Sequence, residues 1–105
     1  MAKLAIGVKT IPRKDLELSQ IIESLVIEFR KNPGCLNYNF KREKESEFLL
    51  ESEWENMVQL EEHFRSKLFS VLLGAFHTLC EQPDVKITDG KSSYGLEAIE
   101  AARGG

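Results

Sequence analysis

The amino-acid sequence predicts an α+β fold, a ferredoxin-like β-α-β-β-α-β domain with an antiparallel sheet and its helices on one face. Two patterns lead to this prediction. Four stretches alternate apolar and polar residues as strands do, and longer stretches between them repeat apolar residues at helical spacing. The length of 105 residues has room for one domain with one core.

The first strand and the first helix are predicted in the N-terminal third of the chain. Lys3 to Ile11 alternates in part and is stopped by Pro12. Arg13 to Lys31 follows the i, i+3, i+4, i+7 pattern of an amphipathic helix, with Asp15 as its expected N-cap. The Asn-Pro-Gly segment 32–34 ends the helix, because proline cannot continue it and glycine supplies a positive φ. The inward residues of this helix are Leu18, Ile21, Ile22, Leu25, Val26 and Phe29.

The second strand is predicted from Cys35 to Arg42. Strict alternation places Leu36, Tyr38 and Phe40 on one of its faces. The mixed-charge segment 42–46 follows as a solvated hairpin turn. We therefore expect this strand to pair with the one that comes next.

A strand-to-helix corner at residues 47–69 organises the rest of the chain. The strand Glu47 to Trp54 ends at the only tryptophan, and helical spacing begins after Asn56. Ser66 is the expected N-cap of a further helix, and Val85 to Thr88 is a short last strand. The inward residues of the corner and of the further helix are Phe48, Leu50, Ser52, Trp54, Met57, Leu60, Phe64, Phe69, Leu72, Leu73, Phe76, Leu79 and Cys80.

The domain is predicted to cover residues 1–89, followed by a C-terminal tail at 90–105. The tail contains a candidate short helix, Leu96 to Arg103, with Gly104 as its end signal. Such a helix is too short to be stable alone. It must therefore pack on the domain, pack on a partner subunit, or be disordered.

Composition excludes several classes of protein. A net charge of −3 with interspersed acids and bases argues against a nucleic-acid partner. No apolar run approaches the ~20 residues of a membrane span, and the N-terminus is too short for a signal peptide, so we expect no membrane partner and a cytoplasmic location. Cys35 and Cys80 lie far apart and are expected to be free thiols. With two histidines and no ligand spacing, no metal site is predicted.

A ferredoxin-like domain leaves one face of its sheet bare, and this predicts a partner. We expect that face to carry Ala5, Ile11, Cys35 and Leu49 among its polar residues. Apolar groups in such number are usually covered by another protein surface rather than by water. A homodimer formed through the bare face is therefore predicted.

Two segments carry a resemblance to a known family. They are NPGCLNYNFKRE, a Pro-Gly-Cys turn into a strand, and FLLESEWENMVQLEEHFRSKLF, a strand that ends in an acid, any residue and Trp and continues into a helix. In this pattern the chain resembles the antibiotic-biosynthesis monooxygenase family of dimeric α+β barrels. The resemblance implies a homodimer with a cavity between each sheet and its helices. It also implies oxidation of a small phenol or quinol by dioxygen without metal, flavin or other cofactor.

The resemblance also implies a set of site residues. Trp54 matches the tryptophan that borders the family cavity, and His63 matches its common helix histidine. With Tyr38, which faces inward and can donate to a bound carbonyl, they are the candidate catalytic residues. Each has a structural alternative: Trp54 and Tyr38 as core aromatics, and His63 as a partner for a backbone carbonyl near the helix break at Ser66. The candidate substrate-pocket residues are Leu25, Phe29, Phe64, Leu72 and Phe76.

Two other functions remain open for the same fold. The first is a non-enzymatic dimeric ligand-binding or stress module whose apolar interior is only a core. The second is heme binding or degradation, which in relatives uses an asparagine on the first strand, a helix tryptophan and an axial histidine. Gly7 and Val8 occupy that strand region here, His63 the tryptophan position, and Leu73 the axial position, with His77 one turn further on. The heme alternative is therefore the weaker of the two.

Overall fold

Five strands form one antiparallel sheet in the computed structural model, which describes residues 1–104. The strands are β1 (Ala2–Lys9), β2 (Cys35–Lys44), β3 (Glu47–Trp54), β4 (Asp84–Thr88) and β5 (Ser93–Tyr94). Their order across the sheet is β2-β3-β1-β4-β5. The helices of the described residues are α1 (Asp15–Phe29), α2 (Met57–Arg65), α3 (Lys67–Leu79) and α4 (Leu96–Ala102). The predicted α+β, ferredoxin-like fold class is confirmed.

The boundaries of the first elements differ from the predicted ones. β1 ends at Lys9 rather than Ile11, and Thr10 continues only as an isolated bridge to Cys80. α1 begins at Asp15, so Lys14 holds the N-cap position and caps with no side-chain hydrogen bond. The Asp15 carboxylate instead accepts hydrogen bonds from the Thr10 hydroxyl and, at 2.7 Å, from Arg42 Nη2. Asp15 therefore ties the start of α1 to the hairpin rather than capping the helix.

The core lies between the inner face of the sheet and the helices. Alternate residues of β1 and β3 enter it, and the register pairs Leu4 with Ser52 and Ile6 with Leu50. Each fully buried aliphatic or aromatic side chain contributes roughly 1.5–3 kcal/mol relative to exposure. The largest fully buried side chains are Trp54, Tyr38, Phe29, Phe64, Phe69, Phe76, Leu4, Ile6, Leu18, Ile22, Leu50 and Leu60.

A register shift at the start of β2 changes which of its residues face inward. Cys35 pairs with Trp54 and Asn37 with Glu53, so Leu36 is the extra residue of a bulge. Leu36 is consequently 51% exposed, while Cys35 packs against the core. The prediction that Leu36 shares a face with Tyr38 and that Cys35 lies on the bare face was wrong, because simple alternation does not count the bulge.

The outer face of the sheet, here called the open face, is more polar than predicted. Ala5 and Leu49 lie on it, but Ile11 falls beyond the end of β1. Its remaining side chains are mostly charged, and Lys41 Nζ lies 3.9 Å from Glu51 Oε1 across β2 and β3. The open face consists of Lys3, Ala5, Gly7, Asn37, Asn39, Lys41, Leu49, Glu51, Glu53, Lys86 and Thr88. Apolar burial alone therefore does not argue for a partner at this face.

The segment predicted as a tail contributes β5 and α4. Ile99 of α4 is 1% exposed and belongs to the core. Arg103 donates from Nη1 to the Phe64 carbonyl and from Nη2 to Ser70 Oγ, both at 2.6 Å. α4 thus packs across the junction of α2 and α3. None of the helices formed by residues 1–104 has the length and apolar character needed to cross a membrane.

Candidate functional site

The corner between β3 and α2 positions the candidate site. β3 brings Trp54 to the edge of the core, and α2 starts after Asn56, whose side chain accepts a hydrogen bond from the Gln59 backbone amide at 2.9 Å. The buried face of α2 then presents Leu60, His63 and Phe64 to the sheet. His63 therefore enters the core from the helix side, opposite β2 and β3.

His63 is the centre of an aromatic cluster. Its ring stacks on Trp54 with centroids 4.7 Å apart and planes at 27°. Phe29 and Phe69 meet it edge-on at 4.6 Å and 4.9 Å. Tyr38 completes what we call the His63 cluster, with ring centroids 5.4 Å from His63. Such contacts add to apolar burial and fix the plane of the imidazole.

Both ring nitrogens of His63 have polar partners. Nε2 lies 3.1 Å from the Tyr38 hydroxyl, and Nδ1 lies 3.4 Å from the Asn32 side-chain nitrogen. Both members of the Tyr38–His63 pair are buried, at 1% and 2% exposure. The backbone carbonyl of His63 separately accepts from the amide and hydroxyl of Ser66. The predicted bond to a carbonyl near Ser66 is thus not made by the imidazole.

Burial sets the protonation of this pair. It lowers the pKa of His63 to about 3, so the imidazole is neutral at physiological pH. Burial, followed by the nearby Cys35, raises the pKa of Tyr38 above its usual value and keeps it a phenol. Because the phenol and the imidazole are both neutral, each can donate or accept a hydrogen bond, and either can change its partner. For His63 to accept a proton at neutral pH, an adjacent negative charge must offset the cost of burial.

Trp54 is fully buried beside the pair. Its indole Nε1 donates to Ser52 Oγ at 2.9 Å, and this bond satisfies both buried groups. The indole face is left free to stack on His63. Trp54 therefore helps to fix the plane of the His63 imidazole.

The five predicted pocket residues are buried, and two of them, Phe29 and Phe64, lie beside His63. Each is at most 6% exposed and belongs to the apolar core. Their positions are as predicted by helical spacing. These residues are Leu25, Phe29, Phe64, Leu72 and Phe76.

Two of the clefts formed by the described residues lie beside a histidine. One, of about 180 Å³, reaches the Nδ1 side of His63 and is lined by Asn32, Pro33, Gln59, Glu62, His63 and Ser66. The other, of about 380 Å³, lies at the end of α3 and includes Leu73, His77 and Cys80. His77 is exposed there, and burial raises the pKa of the Cys80 thiol to about 11. Residues 1–104 contain no cluster of three or more His, Cys, Asp and Glu side chains that could hold a metal ion.

Sequence reasoning brought together three of the central groups but missed one. Tyr38, Trp54 and His63 are in mutual contact; the inward positions of Tyr38 and Trp54 were predicted from alternation, and His63 was singled out by the family pattern. Asn32 was interpreted only as a helix end, and its contact with His63 spans 31 residues of chain. The only sequence feature that could have pointed to Asn32 is its place in the Asn-Pro-Gly turn. That turn belongs to the segment that carries the family resemblance, and it faces α2 in the fold.

The chain is similar to a known protein family and to several solved structures. The model of the family described as antibiotic biosynthesis monooxygenase matches residues 1–73. No curated protein matches the chain. A putative antibiotic biosynthesis monooxygenase from Deinococcus radiodurans superposes with a TM-score of 0.81 at 15% identity, covering 91% of this chain and 98% of that one.

Two further solved structures have the same fold. A conserved protein from Methanosarcina mazei gives a TM-score of 0.79 at 22% identity, covering 86% of this chain and 92% of its own. A variant of SnoaB, a cofactor-independent oxygenase from Streptomyces nogalater, gives 0.75 at 12% identity, covering 87% and 93%. At these identities the superpositions show the fold, while the family match spans more than half of the chain. The chain belongs to the antibiotic biosynthesis monooxygenase family.

Proposed function

We propose that this protein is a cofactor-independent monooxygenase that oxidises a small phenolic or quinol-type aromatic with dioxygen. The observation that carries the proposal is the buried Tyr38–His63 hydrogen bond inside a shell of aromatic rings. Membership of the family and the fold shared with one cofactor-independent oxygenase support it. A shell of this kind suits a flat aromatic ring and excludes water.

The proposed reaction needs no external electron donor. A ring C–H bond of the phenol is replaced by a C–O bond to one atom of dioxygen, and the O–O bond breaks. The other oxygen atom leaves as water, with the two hydrogens lost by the phenol. The ring loses four electrons and dioxygen gains four, so phenol plus dioxygen gives quinone plus water.

In this proposal the protein supplies a proton acceptor and a hydrogen-bond donor. The substrate hydroxyl takes the place of the Tyr38 hydroxyl at Nε2 of His63 and gives up its proton there. The phenolate that forms offsets the burial that holds the pKa of His63 to about 3. Tyr38, kept a phenol by its raised pKa, turns its O–H to the developing oxyanion. Leu25, Phe29, Phe64, Leu72 and Phe76 form the substrate pocket by moving apart around the ring.

A second function is favoured by a different observation. The His63 cluster and the proposed pocket are closely packed, with Trp54 and Phe64 fully buried. A non-enzymatic dimeric module would need nothing more than this core. In that alternative the Tyr38–His63 bond only satisfies two buried polar groups.

Turnover separates the two functions. Purified protein is supplied with a panel of phenols and quinols, and oxygen consumption and quinone absorbance are followed together. The proposal expects turnover of at least one compound, and a loss of roughly 100-fold or more in Tyr38→Phe and His63→Gln. The exposed His77→Gln is the matched control and should keep full activity. Folded protein that consumes no oxygen with any compound would favour the non-enzymatic module.

We also propose that the protein is a homodimer whose subunits meet through the open face. Opposite charges already alternate across this face, as in the Lys41–Glu51 pair. A two-fold axis can pair the lysines of one subunit with the glutamates of the other; the small Ala5 and Gly7 leave room for close approach, and Leu49 supplies an apolar contact. The face is therefore proposed to be held by charge complementarity as well as by apolar contact.

A further inference from the structure

Asn32 completes a chain of polar side chains that runs from the core to the surface. The side-chain nitrogen of Asn32 lies 3.4 Å from Nδ1 of His63, and Nε2 of the same ring lies 3.1 Å from the Tyr38 hydroxyl. Asn32 is half-buried at the mouth of the 180 Å³ cleft, where Glu62 is the acidic neighbour. The proposed reaction involves Tyr38 and His63 directly, whereas Asn32 lies one hydrogen-bond partner further from the substrate.

The backbone fixes Asn32 in this place. The backbone N–H of Asn32 donates to the Phe29 carbonyl at 3.1 Å, and the backbone carbonyl of Asn32 accepts from the Cys35 N–H at 3.1 Å. The residue is thus clamped between the end of α1 and the start of β2. From this position its side chain reaches Nδ1 of His63.

Counting protons in the buried pair decides which nitrogen of His63 is protonated. The ring is neutral, so one nitrogen carries a proton and the other accepts. If Nε2–H donated to Tyr38, the Tyr38 hydroxyl proton would have no acceptor among the hydrogen bonds of the described residues, and a buried donor without an acceptor is disfavoured. If Tyr38 donates to Nε2, the hydroxyl is satisfied and the ring proton sits on Nδ1, facing Asn32.

We propose that Asn32 is a positioning residue whose side-chain carbonyl accepts a hydrogen bond from Nδ1–H of His63 and so holds the imidazole in the Nδ1–H tautomer. The two ends of an amide have nearly the same shape, and half a turn about its terminal bond brings Oδ1 to the place of Nδ2. The lone pair of Nε2 is then directed at Tyr38 in the resting protein. This is the arrangement in which a base is oriented by a third group.

Only the consequence for catalysis rests on the proposed function. In the reaction, the same tautomer leaves Nε2 free to receive the substrate proton, and the Asn32 carbonyl stabilises the imidazolium through Nδ1–H. The tautomer itself is a property of the resting protein. It can be measured without substrate, so its failure and the failure of the proposed function are distinguishable.

Long-range proton–nitrogen NMR of the ¹⁵N-labelled full chain tests the tautomer. The sequence has two histidines, so the His63 signals are assigned by their loss in His63→Gln, and His77 serves as an internal reference. The nitrogen shifts of His63 should show a protonated Nδ1 and an unprotonated Nε2. A protonated Nε2 in the unchanged protein would overturn the proposal.

Two variants test the part played by Asn32. Asn32→Leu removes the acceptor at similar volume and should move the His63 nitrogen shifts towards the Nε2–H tautomer while His77 stays unchanged. Asn32→Asp retains an acceptor, so the Nδ1–H tautomer should persist, and the added carboxylate should raise the pKa of His63 measured in the same spectra. His63 shifts that stay the same in Asn32→Leu would overturn the assignment. If Asn32→Leu does not fold, Asn32→Asp decides, because an unchanged His63 pKa would also overturn it.

Discussion

His63 takes part both in the packing of the core and in the proposed reaction. A neutral imidazole with both nitrogens engaged is well accommodated in an aromatic core, whereas an imidazolium in the same place is strongly disfavoured. The same burial that makes His63 a poor resting base also makes it responsive to an anion beside it. A substrate phenolate is such an anion, and it would be formed where it is needed.

The lowered pKa of His63 predicts how stability depends on pH. The unfolded chain takes up a proton on His63 near its ordinary pKa of 6.5, while the folded protein does so only near 3. This contribution to stability is therefore fully present above pH 6.5 and is lost at about 1.4 kcal/mol per pH unit as the pH falls towards 3. Denaturant unfolding from pH 7 to pH 5 should show this slope in the unchanged protein and a reduced slope in His63→Gln. His77→Gln is the control, and equal slopes in all three proteins would contradict the prediction.

Two substitutions of Trp54 distinguish its role in packing from a role in the reaction. Trp54→Ala should lower the free energy of unfolding by roughly 3 kcal/mol or more, since it removes a fully buried indole and leaves a cavity. Trp54→Phe keeps most of that volume but loses the bond to Ser52 and part of the stack on His63. Stability largely kept with turnover lost would assign Trp54 a role in the reaction, and unchanged turnover would make it a structural residue.

Single residues differ in how far the sequence could predict them. Tyr38 and Trp54 follow from alternation, because a strand gives each residue one of two faces. The buried position of His63 follows from neither alternation nor polarity, and it was the family pattern that singled it out. Asn32 could not be found, since its role depends on the approach of two elements that the sequence places far apart.

At the scale of elements, continuous patterns were predicted well and interruptions were not. The corner from β3 into α2 and the cap at Ser66 are as predicted, and Ser66 Oγ accepts from the Phe69 amide at 3.2 Å. The bulge at Leu36 in β2 was missed because one extra residue does not alter the residue types by which a strand is recognised in a sequence. β5 was missed because two residues carry no periodicity.

The docking of α4 gives a prediction at this scale. Ile99 is its buried anchor, so Ile99→Ala should lower the free energy of unfolding by about 2–4 kcal/mol. Leu16→Ala is the matched control, because Leu16 lies on α1 at 69% exposure and should change stability by less than about 0.5 kcal/mol. Chemical denaturation measures both. A neutral Ile99→Ala would mean that α4 does not pack on the domain in solution.

At the scale of the whole molecule, the open face predicts the oligomeric state. Sedimentation at micromolar concentration should show a dimer that weakens with added salt, because charge pairs contribute to the proposed interface. Glu51→Lys places like charges at the centre of the face and should shift the protein to monomer. Glu23→Lys makes the same charge change at an exposed position of α1, away from the open face, and should leave the dimer intact. A stable monomer of the unchanged protein would contradict the proposal.

Fold class could be predicted from the sequence because it depends on alternation and helical spacing along most of the chain, and the family because two long segments keep its pattern. Substrate and activity could not, because they depend on a few groups whose spacing changes little when the chemistry changes. The closed core around His63 illustrates this, since the same rings can enclose a substrate or simply fill space. Only a reaction measured on the protein distinguishes these two uses.

The most direct measurement is the fate of isotopically labelled dioxygen. A phenol turned over by the protein is oxidised under ¹⁸O₂, the quinone is reduced at once to prevent oxygen exchange with water, and the product is weighed by mass spectrometry. If the protein is a cofactor-independent monooxygenase, each product molecule should carry one ¹⁸O atom, and the amount of labelled product should fall roughly 100-fold or more in His63→Gln and stay unchanged in His77→Gln. A product without label, or no product from any phenol of the panel, would contradict the proposed function.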